Sequence, residues 1–209
     1  MTPDPILLEM GEYPSIRLAY HNAVFSAILG YMVDPPNVRI TAYKSEMQQA
    51  MIEALPKTAE TAWLDGGSEL PLDEDANTLL DSFQASELAN IDQMFLGVKA
   101  RKKEGDTAAD MEASARADGY ADGLDALYNQ IKTMAAGNQM LTFAGTDGSP
   151  KSVCQSIGGM CVKLMGQRHR ASWWKSHDLI PYRGNKNFEC GGWNCQHYLE
   201  NDKGEMFTV

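Results

Sequence analysis

The stretch TAADMEASARADGYADGLDALYNQIKTMAAGNQMLTF, residues 107–143, decides the fold class of this chain. Its apolar residues recur at steps of three and four, which predicts one long helix. These residues are Tyr120, Leu124, Leu127, Ile131 and Met134. Gly137 followed by Asn138 is typical of a helix end, and residues 140–143 favour a short strand. A helical part therefore changes into a β-containing part near residue 139.

The chain before this stretch is also predicted to be mostly helical. Asp73 can cap a long helix, and Pro14 suits the first turn of another, where its missing N–H is not needed. Residues 45–64 favour a further helix that is broken near Pro56. Alternation of apolar and polar residues over residues 38–42 indicates a short strand.

After residue 139 the helical pattern is replaced by short segments rich in Gly, Trp and His. Residues 196–200 and 205–209 flank a turn sequence, which predicts a hairpin. The predicted fold class is α+β. A mainly helical body with an extended N-terminal arm spans residues 1–138, and a small C-terminal cysteine-rich, β-containing module spans residues 139–209.

Charge and hydropathy restrict the partners. The net charge is −10, and the acidic residues are concentrated in the helical body, which would repel a polyanion over most of its surface. The chain has no apolar run of about 18 residues, so no membrane-spanning segment is predicted. Its first residues carry no export signal, so we expect folding in a reducing cytoplasm.

The cysteines cluster in the C-terminal module. They are Cys154, Cys161, Cys190 and Cys195, spaced C-x6-C and C-x4-C. In a reducing compartment such a cluster favours a closed, tetrahedral structural zinc site, in which His197 can replace one thiolate. A disulfide formed after lysis, or unrelated thiols reduced in the core, are the competing interpretations. We predict that zinc has a structural function here, as a staple of the module.

A basic and aromatic segment follows the first cysteine pair. Arg168, Arg170, Trp173 and Trp174 could contact a protein partner, since Trp and Arg are favoured at interfaces. They could equally bind nucleic acid through phosphate contacts and stacking. In the third interpretation the tryptophans fill a small core and the arginines bind turn carbonyls.

Histidines of the module suggest an enzymatic alternative. His169, His177 or His197 near Asp178 or Glu189 could bind a catalytic metal or activate water. However, the sequence contains no HExxH and no GxSxG motif. We therefore predict no catalytic residues and no enzyme activity.

Several segments together resemble a known family. They are residues 115–128, LTFAGTDG at 141–148, GQRHRASWW at 166–174 and CGGWNCQH at 190–197. With the cysteines, they resemble tailed-phage minor head proteins of the Mu F-like head-morphogenesis family, over about residues 107–200. The resemblance implies a virion protein, assembled in the host cytoplasm and present in few copies near the portal. Its expected partners are portal or capsid proteins within a multi-subunit assembly.

The function predicted from the sequence is thus that of a structural virion protein, a minor head or head–tail connecting protein. It would act in head assembly or DNA ejection by protein–protein binding. One alternative is a nucleic-acid-binding packaging accessory protein that contacts phage DNA. The other is a metal-dependent nuclease or hydrolase.

Overall fold

The computed structural model describes residues 12–33, 40–97, 107–145, 159–182, 184–189 and 197–209. Within these ranges the chain is mainly helical and carries a three-stranded antiparallel sheet. The described elements are α1 (Glu12–Val33), α2 (Ile40–Asp65), α3 (Glu74–Gly97), α4 (Thr107–Ala136), β1 (Met140–Gly145), α5 (Met160–Leu164), β2 (Arg168–Arg170), α6 (Ala171–Ser176) and β3 (His197–Glu200). The prediction of a mainly helical chain with a small β-containing part is confirmed. No described helix combines the length and the apolar character needed to cross a membrane.

The backbone contacts group the chain into two compact units. The first comprises the chain up to Thr61 together with Asp73–Leu124, and the second comprises Ala62–Leu72 and Asp125–Val209. The boundary predicted between residues 138 and 139 stays a prediction, because compactness in backbone contacts is a different property from independent folding.

The core of the first unit relies on close helix packing. On α4 a stripe of fully buried alanines recurs every fourth residue, at Ala109, Ala113, Ala117 and Ala121. Side chains spaced by four lie on one face of a helix, and small ones allow a neighbouring helix to approach closely. Tyr31 of α1 packs edge-on against Phe95 of α3, with ring centroids 5.2 Å apart.

Two local signals for helix boundaries are confirmed. The Asp73 carboxylate accepts a hydrogen bond from the backbone N–H of Ala76 at 2.8 Å, so Asp73 caps α3. At the end of α4, Gly137 has a φ of +50°, and its N–H donates to the Met134 carbonyl at 3.1 Å. A positive φ carries no steric penalty for glycine, which is why the helix can stop there.

Two local predictions are wrong. Ile40 opens α2 and is helical, so the alternation over residues 38–42 does not mark a strand at its described positions. The helix also continues through Pro56 rather than breaking. A proline ring removes the N–H that would bind the carbonyl four residues earlier, which belongs to Ile52. Because Ile52 is an exposed position of α2, that carbonyl can be hydrated instead.

The sheet of the second unit has the strand order β2-β1-β3, with both pairings antiparallel. Leu141 lies opposite His169, and Phe143 lies opposite Leu199. Since side chains alternate between faces, these residues point to the core side of the sheet. The predicted hairpin after β3 is confirmed by the bridge between Glu200 and Met206.

The core of this unit is shared by the sheet, α5, α6 and the loops around them. Its buried members are Leu141, Phe143, Cys161, Leu164, Ala171, Trp174, Ile180, Phe188, Leu199 and Phe207. Aromatic side chains bury large apolar areas, so a few of them suffice to stabilise a small module. The core thus fixes the positions of β2 and α6, which carry the basic and aromatic segment.

Candidate functional site

The candidate site is formed by β2 and α6, which follow each other without a linker. Gly166, with a φ of +75°, provides the turn that leads from α5 into β2. Within β2, His169 lies on the core side of the sheet opposite Leu141. Arg168 and Arg170 are exposed and, by the alternation along a strand, lie on the outer face. Two of the predicted contact residues, Arg168 and Arg170, therefore lie on the outer face of β2, and the other two, Trp173 and Trp174, lie on α6.

Trp174 is a core residue. Its side chain is fully buried, and its indole N–H donates to the Leu141 carbonyl at 3.1 Å. Its ring also packs against Phe143, with centroids 5.9 Å apart. A partner cannot reach Trp174 in this conformation. Its placement corresponds to the interpretation in which a tryptophan fills the small core.

Trp173 lies between two histidines in a stack of three rings, called here the ring stack (His169, Trp173 and His177). The centroid distances are 3.7 Å from Trp173 to His169 and 4.1 Å from Trp173 to His177. Both imidazoles are within 25° of parallel to the indole, so at these distances they must occupy its opposite faces. The two faces of the indole are covered, and its edge is what a partner would meet.

The ring stack is fixed by the local backbone. Residues four apart lie on the same side of a helix, which brings His177 next to Trp173. His177 Nδ1 lies 2.9 Å from the Trp173 carbonyl oxygen. A carbonyl only accepts hydrogen bonds, so Nδ1 carries the proton in this contact. His169 Nε2 lies 3.2 Å from the side-chain oxygen of Gln167.

The two arginines already bind neighbours on the surface. Arg168 donates to Asp202 at 2.6 Å, and both side chains of this ion pair are more than half exposed. Arg170 donates to the side chain of Asn138 at 3.3 Å. Thr142 of β1 lies between Arg168 on one side and Glu200 on the other. The outer face of the sheet therefore carries charges of both signs.

Of the predicted metal ligands, the structure describes Cys161 and His197. Cys161 is fully buried in α5, and His197 stacks on Phe143 with centroids 5.4 Å apart. Cys154, Cys190 and Cys195 lie outside the described residues. Among the residues that the structure does describe, no group of three His, Cys, Asp or Glu side chains is arranged to hold a metal ion.

The described neighbours of the cysteines meet around one part of the core. The Glu189 carboxylate accepts the N–H of Met160 at 2.7 Å, next to Cys161, and this hydrogen bond lowers the pKa of Glu189. Phe188 and His197 both stack on Phe143, at centroid distances of 6.0 and 5.4 Å. The segment that leads to Cys190 thus packs beside the segment that carries Cys161, and His197, which follows Cys195, packs on the same Phe143 ring as Phe188.

The histidines named as candidate catalytic residues are separated by other rings. The indole of Trp173 stands between His169 and His177, so these two imidazoles do not face a common ion or water. Asp178 accepts a hydrogen bond from Asn187 at 2.8 Å. This bond belongs to the loop that surrounds Asn185.

Two buried amides that organise the module were not predicted from the sequence. Asn129 of α4 binds the backbone of Pro181 and Val209, and Asn185 donates to the carbonyls of Asp178 and Ile180. For Asn129 the available signal was an amide residue directly beside an apolar helical stripe, whereas Asn185 lies in a loop and had no such signal. A buried amide needs hydrogen-bond partners, and these are commonly backbone groups of a loop.

Comparison of the chain with protein-family models, with curated proteins and with solved structures gave no match.

Proposed function

We propose that the chain is a structural protein of a tailed-phage particle that acts by binding other virion proteins, portal or capsid, and not by catalysis. The observation that carries the binding role is the ring stack. Trp173 is half-buried at the surface, held on both faces, and flanked along the chain by an exposed arginine, Arg170. Tryptophan and arginine held in a fixed orientation are the residues that contribute most at protein interfaces, because little entropy is lost when they bind.

The charges on the sheet favour a protein partner over DNA. Binding to a phosphate backbone requires several unpaired cations that track it. Arg168 is instead paired with Asp202, Glu200 lies in the same row across the sheet, and the whole chain carries a net charge of −10. A mixed surface of this kind suits a protein partner with complementary charges.

The finer proposal is that the C-terminal module is cysteine-rich and that its cysteines bind zinc. Cys154, Cys161, Cys190 and Cys195 would supply thiolates, with His197 as a substitute ligand. The proposal is supported by the packing of Glu189 against Met160 and of His197 on Phe143, since Cys190 follows Glu189 directly and Cys195 is two residues before His197. A closed zinc site would make this module rigid, as a docking element requires.

The proposal is tested on phage particles that assemble in the host. The particles are purified on a density gradient, and the amount of the chain in them is measured by mass spectrometry. The wild-type chain is expected in the particles. Arg170→Ala with Trp173→Ala should reduce its incorporation at least about tenfold, since loss of interface anchors costs about 2 kcal/mol or more. Circular dichroism of each purified variant verifies that it is folded.

A matched control removes surface charge elsewhere in the same module. Lys163→Ala with Lys186→Ala changes two exposed residues outside β2 and α6 and should leave incorporation unchanged. Particles that never contain the wild-type chain would refute the proposal. Salt-sensitive DNA binding that is lost on Arg168→Ala with Arg170→Ala would replace it with the packaging alternative.

A further inference from the structure

The second unit contains a polar cluster that the proposed function does not use. It consists of Lys132 and Tyr128, one turn apart on α4, and of Asp65, the last residue of α2. Lys132 Nζ donates to the Tyr128 hydroxyl oxygen at 3.3 Å, and the Tyr128 hydroxyl donates to the Asp65 carboxylate at 2.5 Å. A series of hydrogen bonds thus runs from a half-buried amine to an exposed carboxylate.

The backbone after α2 fixes the position of this cluster. Gly66 approaches α4 so closely that a Cβ there would lie 2.6 Å from the Lys132 carbonyl oxygen. The Ser68 hydroxyl donates to the Ala135 carbonyl at 3.0 Å, further along α4. These contacts hold the end of α2 against the turn of α4 that carries Lys132, so the amine has a defined environment.

Aromatic rings keep water away from two sides of the amine. Lys132 Nζ lies 4.7 Å from the centroid of the Phe207 ring and 5.2 Å from that of the Tyr128 ring, and both aromatic residues are buried. Although ring faces attract an ammonium group, burial lowers the pKa of Lys132 and outweighs the charge of Asp65, which acts in the raising direction. A larger share of this amine is therefore uncharged at neutral pH than of an ordinary lysine.

The direction of the hydrogen bonds keeps Tyr128 off the nitrogen lone pair of the uncharged amine. Tyr128 donates its only hydroxyl proton to Asp65, so its oxygen can only accept from Lys132. A hydroxyl that donated to the amine would instead occupy the lone pair that attacks an electrophile. Removal of a lysine from water is one of the ways in which proteins activate it as a nucleophile.

We propose that Lys132 is a modification site, at which a small acyl thioester acylates the amine. The Lys132 nitrogen attacks the thioester carbonyl carbon, so a C–N bond forms and the C–S bond breaks. The products are an amide on Lys132 and a free thiol, which takes up the proton that the nitrogen loses. The Asp65 carboxylate near the amine and the net charge of −10 favour an uncharged donor over an acyl phosphate.

The test uses the full chain at pH 7 with S-acetyl-N-acetylcysteamine, a small uncharged thioester. Peptide mass spectrometry measures the acetylation of each lysine early in the reaction. Lys132 should be acetylated at least about threefold faster than the exposed Lys203, because a lowered pKa raises the share of uncharged amine. In the chain unfolded by urea the two lysines should react at similar rates. Equal rates in the folded chain, or a difference that persists in urea, would overturn the proposal.

A charge variant tests the environment of the amine. Asp65→Asn keeps an acceptor for the Tyr128 hydroxyl but removes the charge that favours the ammonium form, so acetylation of Lys132 should become at least about twofold faster. Glu69→Gln removes the same charge at an exposed position four residues along the chain and should leave the rate unchanged. An unchanged or slower reaction in Asp65→Asn would contradict the described environment of the amine and overturn the proposal.

A second donor tests the choice of acyl group carrier. With acetyl phosphate, which is negatively charged, the preference for Lys132 over Lys203 should be smaller than with the thioester, because Asp65 repels the donor. A larger preference with acetyl phosphate would overturn the assignment of the site to thioesters.

Discussion

Asn129 holds the backbone of Val209 through both of its polar groups. Its Nδ2 donates to the Val209 carbonyl and its Oδ1 accepts the Val209 N–H, each at 2.8 Å, while Nδ2 also donates to the Pro181 carbonyl at 3.2 Å. One fully buried amide thus joins α4 to two segments far along the chain. The side chain of a helix residue thus makes the hydrogen bonds to the Val209 backbone that a neighbouring strand would otherwise make.

Asn129→Ala should destabilise the protein by about 2–3 kcal/mol, because it leaves buried backbone groups without hydrogen-bond partners. Chemical denaturation followed by circular dichroism measures the change. Gln93→Ala, at an exposed amide on α3, is the control and should stay within about 0.5 kcal/mol of the wild type. Equal effects of the two substitutions would show that the Asn129 hydrogen bonds do not stabilise the fold.

Gly66 and Gly119 should respond to alanine in opposite directions. A Cβ at Gly66 would lie 2.5 Å from the Ala135 Cβ and 2.6 Å from the Lys132 carbonyl oxygen, so Gly66→Ala should cost about 1–3 kcal/mol by overpacking. Gly119 lies within α4 and has no such neighbour within 4 Å. Gly119→Ala should therefore stabilise the helix by about 0.5–1 kcal/mol. A melting temperature that does not fall on Gly66→Ala would contradict the described contact at Gly66.

Because of the carboxyl group of Glu87, we expect the stability of the protein to depend on pH. Burial raises the pKa of Glu87, although a hydrogen bond from Asn90 acts in the lowering direction. The folded protein then binds this proton more tightly than the unfolded chain, so stability falls as the pH rises through the ordinary glutamate pKa towards the folded value.

Glu87→Gln removes this loss of stability. The variant should melt at a higher temperature than the wild type at pH 7, and the difference should vanish below about pH 3.5, where the carboxyl group is protonated in both states. Calorimetry from pH 3 to 8 provides the measurement. The control is Glu60→Gln, at an exposed position of α2. A gain that is the same at every pH would argue against a raised pKa at Glu87.

The zinc proposal predicts a metal content. Protein purified under reducing conditions should contain about one zinc per chain, and removal of the metal by a chelator should lower the melting temperature. Cys190→Ser should lose most of the zinc, whereas His177→Asn, which changes the ring stack alone, should retain it. Metal-free protein with four reactive thiols would exclude the site.

The sequence predicts those features that depend on near neighbours. The cap at Asp73 and the helix end at Gly137 are local, and both are confirmed. The strand expected over residues 38–42 fails because alternation over five residues does not specify a strand without a partner strand. Ile40 continues instead into a long helix.

At the candidate site, too, features set by near neighbours are predictable from the sequence, and features set by distant segments are not. Trp173 and Trp174 are adjacent and chemically identical, yet one is half-buried at the surface and the other is fully buried. Which of them enters the core depends on where α6 meets β1, a contact between segments about 30 residues apart. The sequence shows the basic and aromatic composition of the segment, but it does not show which tryptophan lies in the core and which lies at the surface.

The indole of Trp173 also makes this surface observable without any added probe. Its fluorescence depends on the rings at its two faces, and those rings are held by the backbone of β2 and the end of α6. Any molecule that shifts either imidazole changes the light that the protein emits. Under the proposed function, docking at this position would therefore produce its own optical signal, which the variant Trp173→Phe would lack.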